Sequence, residues 1–162
     1  MGLFIDIAIE NINETLKHID LITDNSKFKN HYYYFHAIRL IHNSVHSLLD
    51  CYERMNKSKL LQEEDTLFRA FAYLNNQIKH DENLKYVSYA VSGSSYPRFY
   101  PYRYGAPGLL WSNFTDNGRK DARGKRCHYE EALMEKDVKK TFLAIKSVLE
   151  KENNEEHSYD QL

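Results

Sequence analysis

Apolar residues recur at steps of three and four over residues 3–24. Phe4, Ile5, Ala8, Ile12, Leu16, Ile19 and Ile22 form one stripe, while Glu10, Asn13, Lys17 and Asp20 fill the other side. That period predicts an amphipathic helix. Asp24, Asn25 and Ser26 then supply turn and N-cap chemistry. A second helix is expected over about residues 27–56, with Ile38, Ile41, Val45, Leu48, Leu49 and Tyr52 as its stripe. The run Tyr32, Tyr33, Tyr34, Phe35 makes its start apolar on more than one side, which reads as a central helix. A third helix is expected from Ser58 or Lys59 to His80, carrying Leu67, Phe71, Leu74 and Ile78 at steps of four, three and four.

Residues 83–118 change character. Positions 85–91 are rich in strand formers, Gly93, Ser94 and Ser95 turn the chain, and Pro97, Pro101 and Pro107 exclude a long helix. The expectation is a short β-hairpin or aromatic loop that packs its rings, Trp111 among them, on the helices. A basic stretch at 119–126 leads to a short helical turn over 129–134. A longer helix capped by Asp137 follows, striped with Val138, Phe142, Ile145 and Leu149. Beyond Lys151 the chain has little to bury and reads as a disordered acidic tail. The expected fold is mainly α: a four- or five-helix up-down bundle with the hairpin or aromatic loop inserted between the third and fourth helices. It forms one domain over 1–151, with the tail over 152–162.

Composition narrows the function. A chain of 162 residues with 42% hydrophobic content can bury one real core. Its 22 basic and 23 acidic residues leave a net charge of −1. Nucleic acid could therefore be gripped only through a local patch, not a global field. No apolar run approaches the roughly 18 residues of a membrane span, so no membrane partner is expected. The N-terminal segment meets Asp6 and Glu10 without a basic leader, which argues against a secretory signal, and Asp6 breaks the myristoylation pattern after Gly2. Two cysteines, Cys51 and Cys127, are too few for a zinc site and read as reduced thiols of a cytoplasmic protein. No metal and no cofactor is expected.

The end of the third helix carries the clearest chemistry. Arg69, Tyr73, Asn76 and His80 follow steps of four, three and four, a polar stripe beside the apolar one. His80 falls in the last turn, where the helix dipole favours a protonated ring. The segment Asn75-Asn76-Gln77-Ile78-Lys79-His80 resembles the signature of the HEPN superfamily. These are bacterial and archaeal helical-bundle proteins, many of them RNases of toxin–antitoxin, abortive-infection and CRISPR systems, whose hallmark often runs Arg-Asn-x-x-x-His. The motif's Asn and His fall on Asn76 and His80. Its Arg falls on Asn75, a departure. Arg69 lies eleven residues before His80, about 16 Å along a helix, too far to replace it. The order of elements over roughly residues 1–150 also resembles the family.

The resemblance implies a homodimer that acts as a metal-independent endoribonuclease or RNA-binding protein of a bacterial defence or toxin–antitoxin system, with a protein partner such as an antitoxin. His80 would be the acid or base for attack by the RNA 2′-hydroxyl, and Asn76 would orient it or the phosphate. A basic residue from elsewhere, with Arg39 of the second helix as candidate, would supply the missing charge. Neutral Asn75 cannot, and losing a preorganised cation costs a factor of about a hundred or more in rate. Two other accounts stay open. Lys79, His80 and Asp81 also suit ordinary helix capping, and the same surface could serve a non-catalytic interaction protein.

Three further sets bear on binding. Arg39, Asn43 and His46 share a face, and His42 and His46 have the spacing that lets two imidazoles meet one metal. Nothing in the sequence completes such a shell, and hydrogen-bonded histidines at a helix interface are the alternative. Arg98, Tyr100, Arg103 and Tyr104 alternate cations with stacking surfaces, as single-stranded RNA requires. The same set would also serve a protein interface, or a cover closed over the bundle. In the basic stretch, Arg123 and Arg126 are candidate phosphate contacts or part of a solvated loop.

Overall fold

The computed structural model describes residues 2–23, 31–91 and 107–159. The first helix, α1, spans Gly2–Thr23, α2 spans His31–Arg54 and α3 spans Gln62–His80. A hairpin of β1 (Val87–Val91) and β2 (Pro107–Trp111) follows, then a short α4 (Arg126–Ala132) and a long α5 (Val138–Tyr159). The expected N-cap at Asp24 to Ser26 and the candidates Arg98, Tyr100, Arg103 and Tyr104 lie outside the described residues.

The long helices alternate in direction. Thr15 pairs with Ser44 at 2.8 Å and the Cys51 thiol donates to the Phe4 carbonyl at 3.0 Å, so α1 and α2 run antiparallel. Tyr52 stacks on Phe68 while His42 and Lys79 share one cleft, which sets α2 antiparallel to α3. Phe71 stacks on Phe142 from α5, and Asp20 and Asp6 of α1 meet Lys139 and Asn153 of α5. The predicted stripes of α1, α2 and α5 are the core: Ile5, Ala8, Ile12, Ile41, Val45, Leu48, Phe142, Ile145 and Leu149 are all fully buried.

The hairpin lies over this core. β1 and β2 pair antiparallel from Val87↔Trp111 to Val91↔Pro107. The second edge of β2 is covered, because the Trp111 amide donates to the Lys136 carbonyl and Glu135 donates back to Trp111. Trp111 is 0% exposed against Phe71 and Phe142, and its indole N–H donates to the Thr141 hydroxyl at 2.8 Å. A buried indole needs such an acceptor.

Two expectations are corrected. The third helix begins at Gln62, not at Ser58 or Lys59. Asn56 accepts from Ser58 and closes a 3-10 turn at Lys57–Lys59, and the Glu64 carboxylate accepts the Leu61 amide at the true start. α2 packs between α1 and α3, and every residue of α3 from Ala70 to Gln77 is also buried, because the segment 112–126 covers its polar side. The tail does not end in disorder at Lys151, since α5 continues to Tyr159. Asn153 donates to Asp6 at 3.2 Å and Glu155 lies 3.8 Å from Lys59, fastening those turns to α1 and the 3-10 turn. The Asp137 cap is found where expected, its carboxylate accepting the Lys140 amide at 2.8 Å.

Candidate functional site

The polar stripe of α3 is the place to start, because its spacing puts Arg69, Tyr73 and Asn76 on one face. Most of that face is occupied by the protein itself. Arg69 donates to the Arg123 carbonyl at 3.1 Å, and the Tyr73 hydroxyl donates to the Asp116 carboxylate at 2.6 Å. The Asn76 carboxamide donates to the Arg119 carbonyl at 3.3 Å, and Gln77 accepts the Asn117 amide at 2.9 Å. The stripe thus fastens an irregular segment to α3, through three of its backbone groups and the Asp116 carboxylate. Burial and the Asp116 carboxylate push the Tyr73 phenol up to about 12, so it stays a neutral donor.

Beside this fastening lies a cleft of about 560 Å³ between α2 and α3. From α2 it takes His42 and His46, one turn apart, and the carboxylates Asp50 and Glu53. From α3 it takes Asn75, Asn76 and Lys79, and the segment 112–126 contributes Arg123. Asn75 is only 7% exposed, and among the described residues its carboxamide has no hydrogen-bond partner. Burial, reinforced by the nearby His46, holds the half-buried His42 ring below the ordinary imidazole value, which favours the neutral ring, a proton acceptor of less than ordinary basicity. The Asp50 carboxylate stands 4.0 Å from the His46 ring. Arg123 is spoken for: it pairs with Glu53 and, at 2.7 Å, with Asp121. That leaves Lys79 as an exposed cation of the cleft with no partner among the described residues.

Of the four residues expected to act together, Asn75 and Asn76 line this cleft. His80 is exposed at the last turn of α3 and Arg39 is exposed on α2, and neither forms part of the cleft wall. Arg126, offered as a phosphate contact, is committed within the fold. Its guanidinium donates to the Phe114 carbonyl at 2.5 Å, to Asn113 at 2.8 Å and to Glu130 at 3.0 Å, and it lies over the Phe114 and Tyr129 rings. Arg123 is committed likewise. The sequence signal for both was charge alone, which does not tell a solvated cation from a paired one.

His42 and His46 remain a pair of imidazoles. Among the described residues no group of three or more His, Cys, Asp or Glu is arranged to hold a metal ion. What the cleft can offer is a neutral imidazole, a second imidazole, the Asn75 carboxamide and one free ammonium. No helix among the described residues is long and apolar enough to cross a membrane. Comparisons with protein-family models, curated proteins and solved structures return no significant similarity to this chain.

Proposed function

We propose that this protein is a HEPN-like RNA-binding protein and metal-independent endoribonuclease of a bacterial defence or toxin–antitoxin type system, working in the α2–α3 cleft. The observation that carries the reading is the meeting of an imidazole held toward its neutral form, His42, with the carboxamide of Asn75 and the free ammonium of Lys79 in one cleft. An RNA strand needs a base for its 2′-hydroxyl, hydrogen bonds for phosphate and sugar, and positive charge for the phosphorane. His42 takes the hydroxyl proton as the 2′-oxygen attacks phosphorus. His46 serves as the acid that gives a proton to the departing 5′-oxygen, leaving a 2′,3′-cyclic phosphate. Lys79, one residue before His80, supplies the charge that Asn75 lacks in the motif's arginine position.

The test is cleavage of single-stranded RNA in EDTA by wild type and by His42→Ala, His46→Ala and His80→Ala, each matched for folding. Loss of cyclic-phosphate products with His42→Ala and their retention with His80→Ala is the expected result. Loss with His80→Ala alone would move the acid–base role to the end of α3, the position the family resemblance nominates. Light scattering on the same samples reads the homodimer that the resemblance implies.

A second reading, a non-catalytic interaction protein, is favoured by one observation. Asn76 and Arg123 spend their side chains on the fold rather than on the cleft. Absence of cleavage by the folded wild type would select it, with a protein such as an antitoxin as the partner.

A further inference from the structure

We infer that a second cavity, formed by the segment 116–126 against α3, is a phosphate-binding subsite that takes the backbone of a strand leaving the α2–α3 cleft. This assignment takes the identity of the strand from the RNA reading above. The cavity measures about 420 Å³ and is floored by Tyr73. It shares a wall with the cleft: Asn76 of the cleft is bonded to Arg119 of the cavity, and Arg123 of the cleft lies between Asp121 and Gly124 of the cavity.

The charge balance around this cavity is local and one-sided. Its two carboxylates are consumed by neighbours. Asp116 accepts from the Tyr73 hydroxyl and from the Gly118 amide, both at 2.6 Å, and Asp121 is paired with Arg123. Arg126 is half-buried and committed to Phe114, Asn113 and Glu130. Arg119, Lys120 and Lys125 are left exposed, and among the described residues their side chains have no partner. Three free cations thus line one concavity of a chain whose net charge is −1.

The backbone that displays them is held. Gly124 packs directly on the α3 backbone, and Arg69, Tyr73, Asn76 and Gln77 bind the segment at four further points. Cations carried on a fixed backbone lose less freedom on binding than cations on a loose loop. Phosphate is the fitting ligand, because a guanidinium fork and two ammonium groups match several oxygens of an extended polyanion. An RNA strand and an inorganic polyphosphate share that chemistry.

The experiment uses the full chain and three probes: a 2′-O-methyl single-stranded RNA 12-mer, tripolyphosphate, and a polyglutamate peptide of equal charge. Wild type is compared with the triple variant Arg119→Gln, Lys120→Gln, Lys125→Gln, whose exposed sites leave the thermal midpoint unchanged. The expected result is RNA binding weakened by about tenfold or more, with the log–log salt slope shallower by about 2, from roughly 0.7 per single-strand phosphate contact. RNA binding equal in wild type and variant overturns the subsite and leaves the RNA reading standing. Tripolyphosphate binding lost in the variant, with no RNA binding by wild type, upholds a phosphate site and removes the RNA reading. Polyglutamate bound as tightly as RNA, or no binding of either phosphate probe by wild type, overturns the subsite.

Discussion

A β-carbon placed on Gly124 would stand 2.0 Å from the carbonyl oxygen of Arg69 and 2.8 Å from the Tyr73 amide nitrogen. Backbone therefore touches backbone where the segment 112–126 crosses α3. Neither strand of contact can step aside the way a flexible side chain can. Any residue larger than glycine must lift the segment off the helix and loosen the bonds that Arg69, Tyr73 and Asn76 make to it.

Gly124→Ala is accordingly expected to cost about 3 kcal/mol, the upper end of what overpacking usually costs. Urea unfolding at neutral pH measures it. A loss below about 0.5 kcal/mol would mean that the segment does not pack on α3 this closely.

The second prediction concerns acid. Burial alone would raise the Asp65 carboxyl, but the Tyr52 hydroxyl at 2.6 Å and Arg69 at 2.7 Å outweigh it and hold the group below its ordinary value. A depressed native value adds stability above the unfolded carboxylate range, about 3.9, and that stability is lost as pH falls through the native value. Tyr52, pushed up to about 12 by burial and by Asp65, remains a neutral donor throughout. Tyr52→Phe should thus lower stability by about 1.5–3 kcal/mol at pH 7. Its deficit against wild type should shrink below about pH 4, as followed by urea midpoints at both pH values. An equal deficit at pH 7 and pH 2 would show that packing alone is at stake.

The thiols should separate cleanly. Cys51 is buried, donates to the Phe4 carbonyl, and is pushed up to about 12 by burial, while Cys127 is exposed. Only thiolate reacts fast. Ellman's reagent at pH 8 should therefore titrate one thiol of the native chain quickly, and the second only with unfolding. Cys127→Ser should remove the fast phase, and two fast thiols in the native protein would contradict the buried position of Cys51.

Thr141→Val should leave the Trp111 indole N–H buried without an acceptor, at a cost of about 1–3 kcal/mol. Trp111 is the single tryptophan of the chain, so its own fluorescence follows the unfolding. An unchanged midpoint would mean that the indole finds another partner.

Much of this architecture is a local property and can be read along the chain. Ile5, Ala8 and Ile12 on α1, or Val138, Phe142 and Ile145 on α5, are spaced so that a helix must gather them on one side, and they are the core. Asp137 is a cap by its own side chain, and the strand formers of 85–91 contain β1, Val87–Val91. The Asn75–His80 segment was legible as polar chemistry at a helix end, and nothing local could say what faces it. Tertiary packing decided that: segment 112–126 crosses α3 and takes Arg69, Tyr73 and Asn76 as hydrogen-bond partners, and α2 brings His42 into one cleft with Asn75. The same packing settled which arginines are free. Arg123 and Arg126 are spent on Glu53, Asp121, Phe114 and Glu130, while Arg119 faces solvent. Periodicity determines which face of an element is buried, and only the fold determines which polar groups on the other face meet a partner and which remain to meet a ligand.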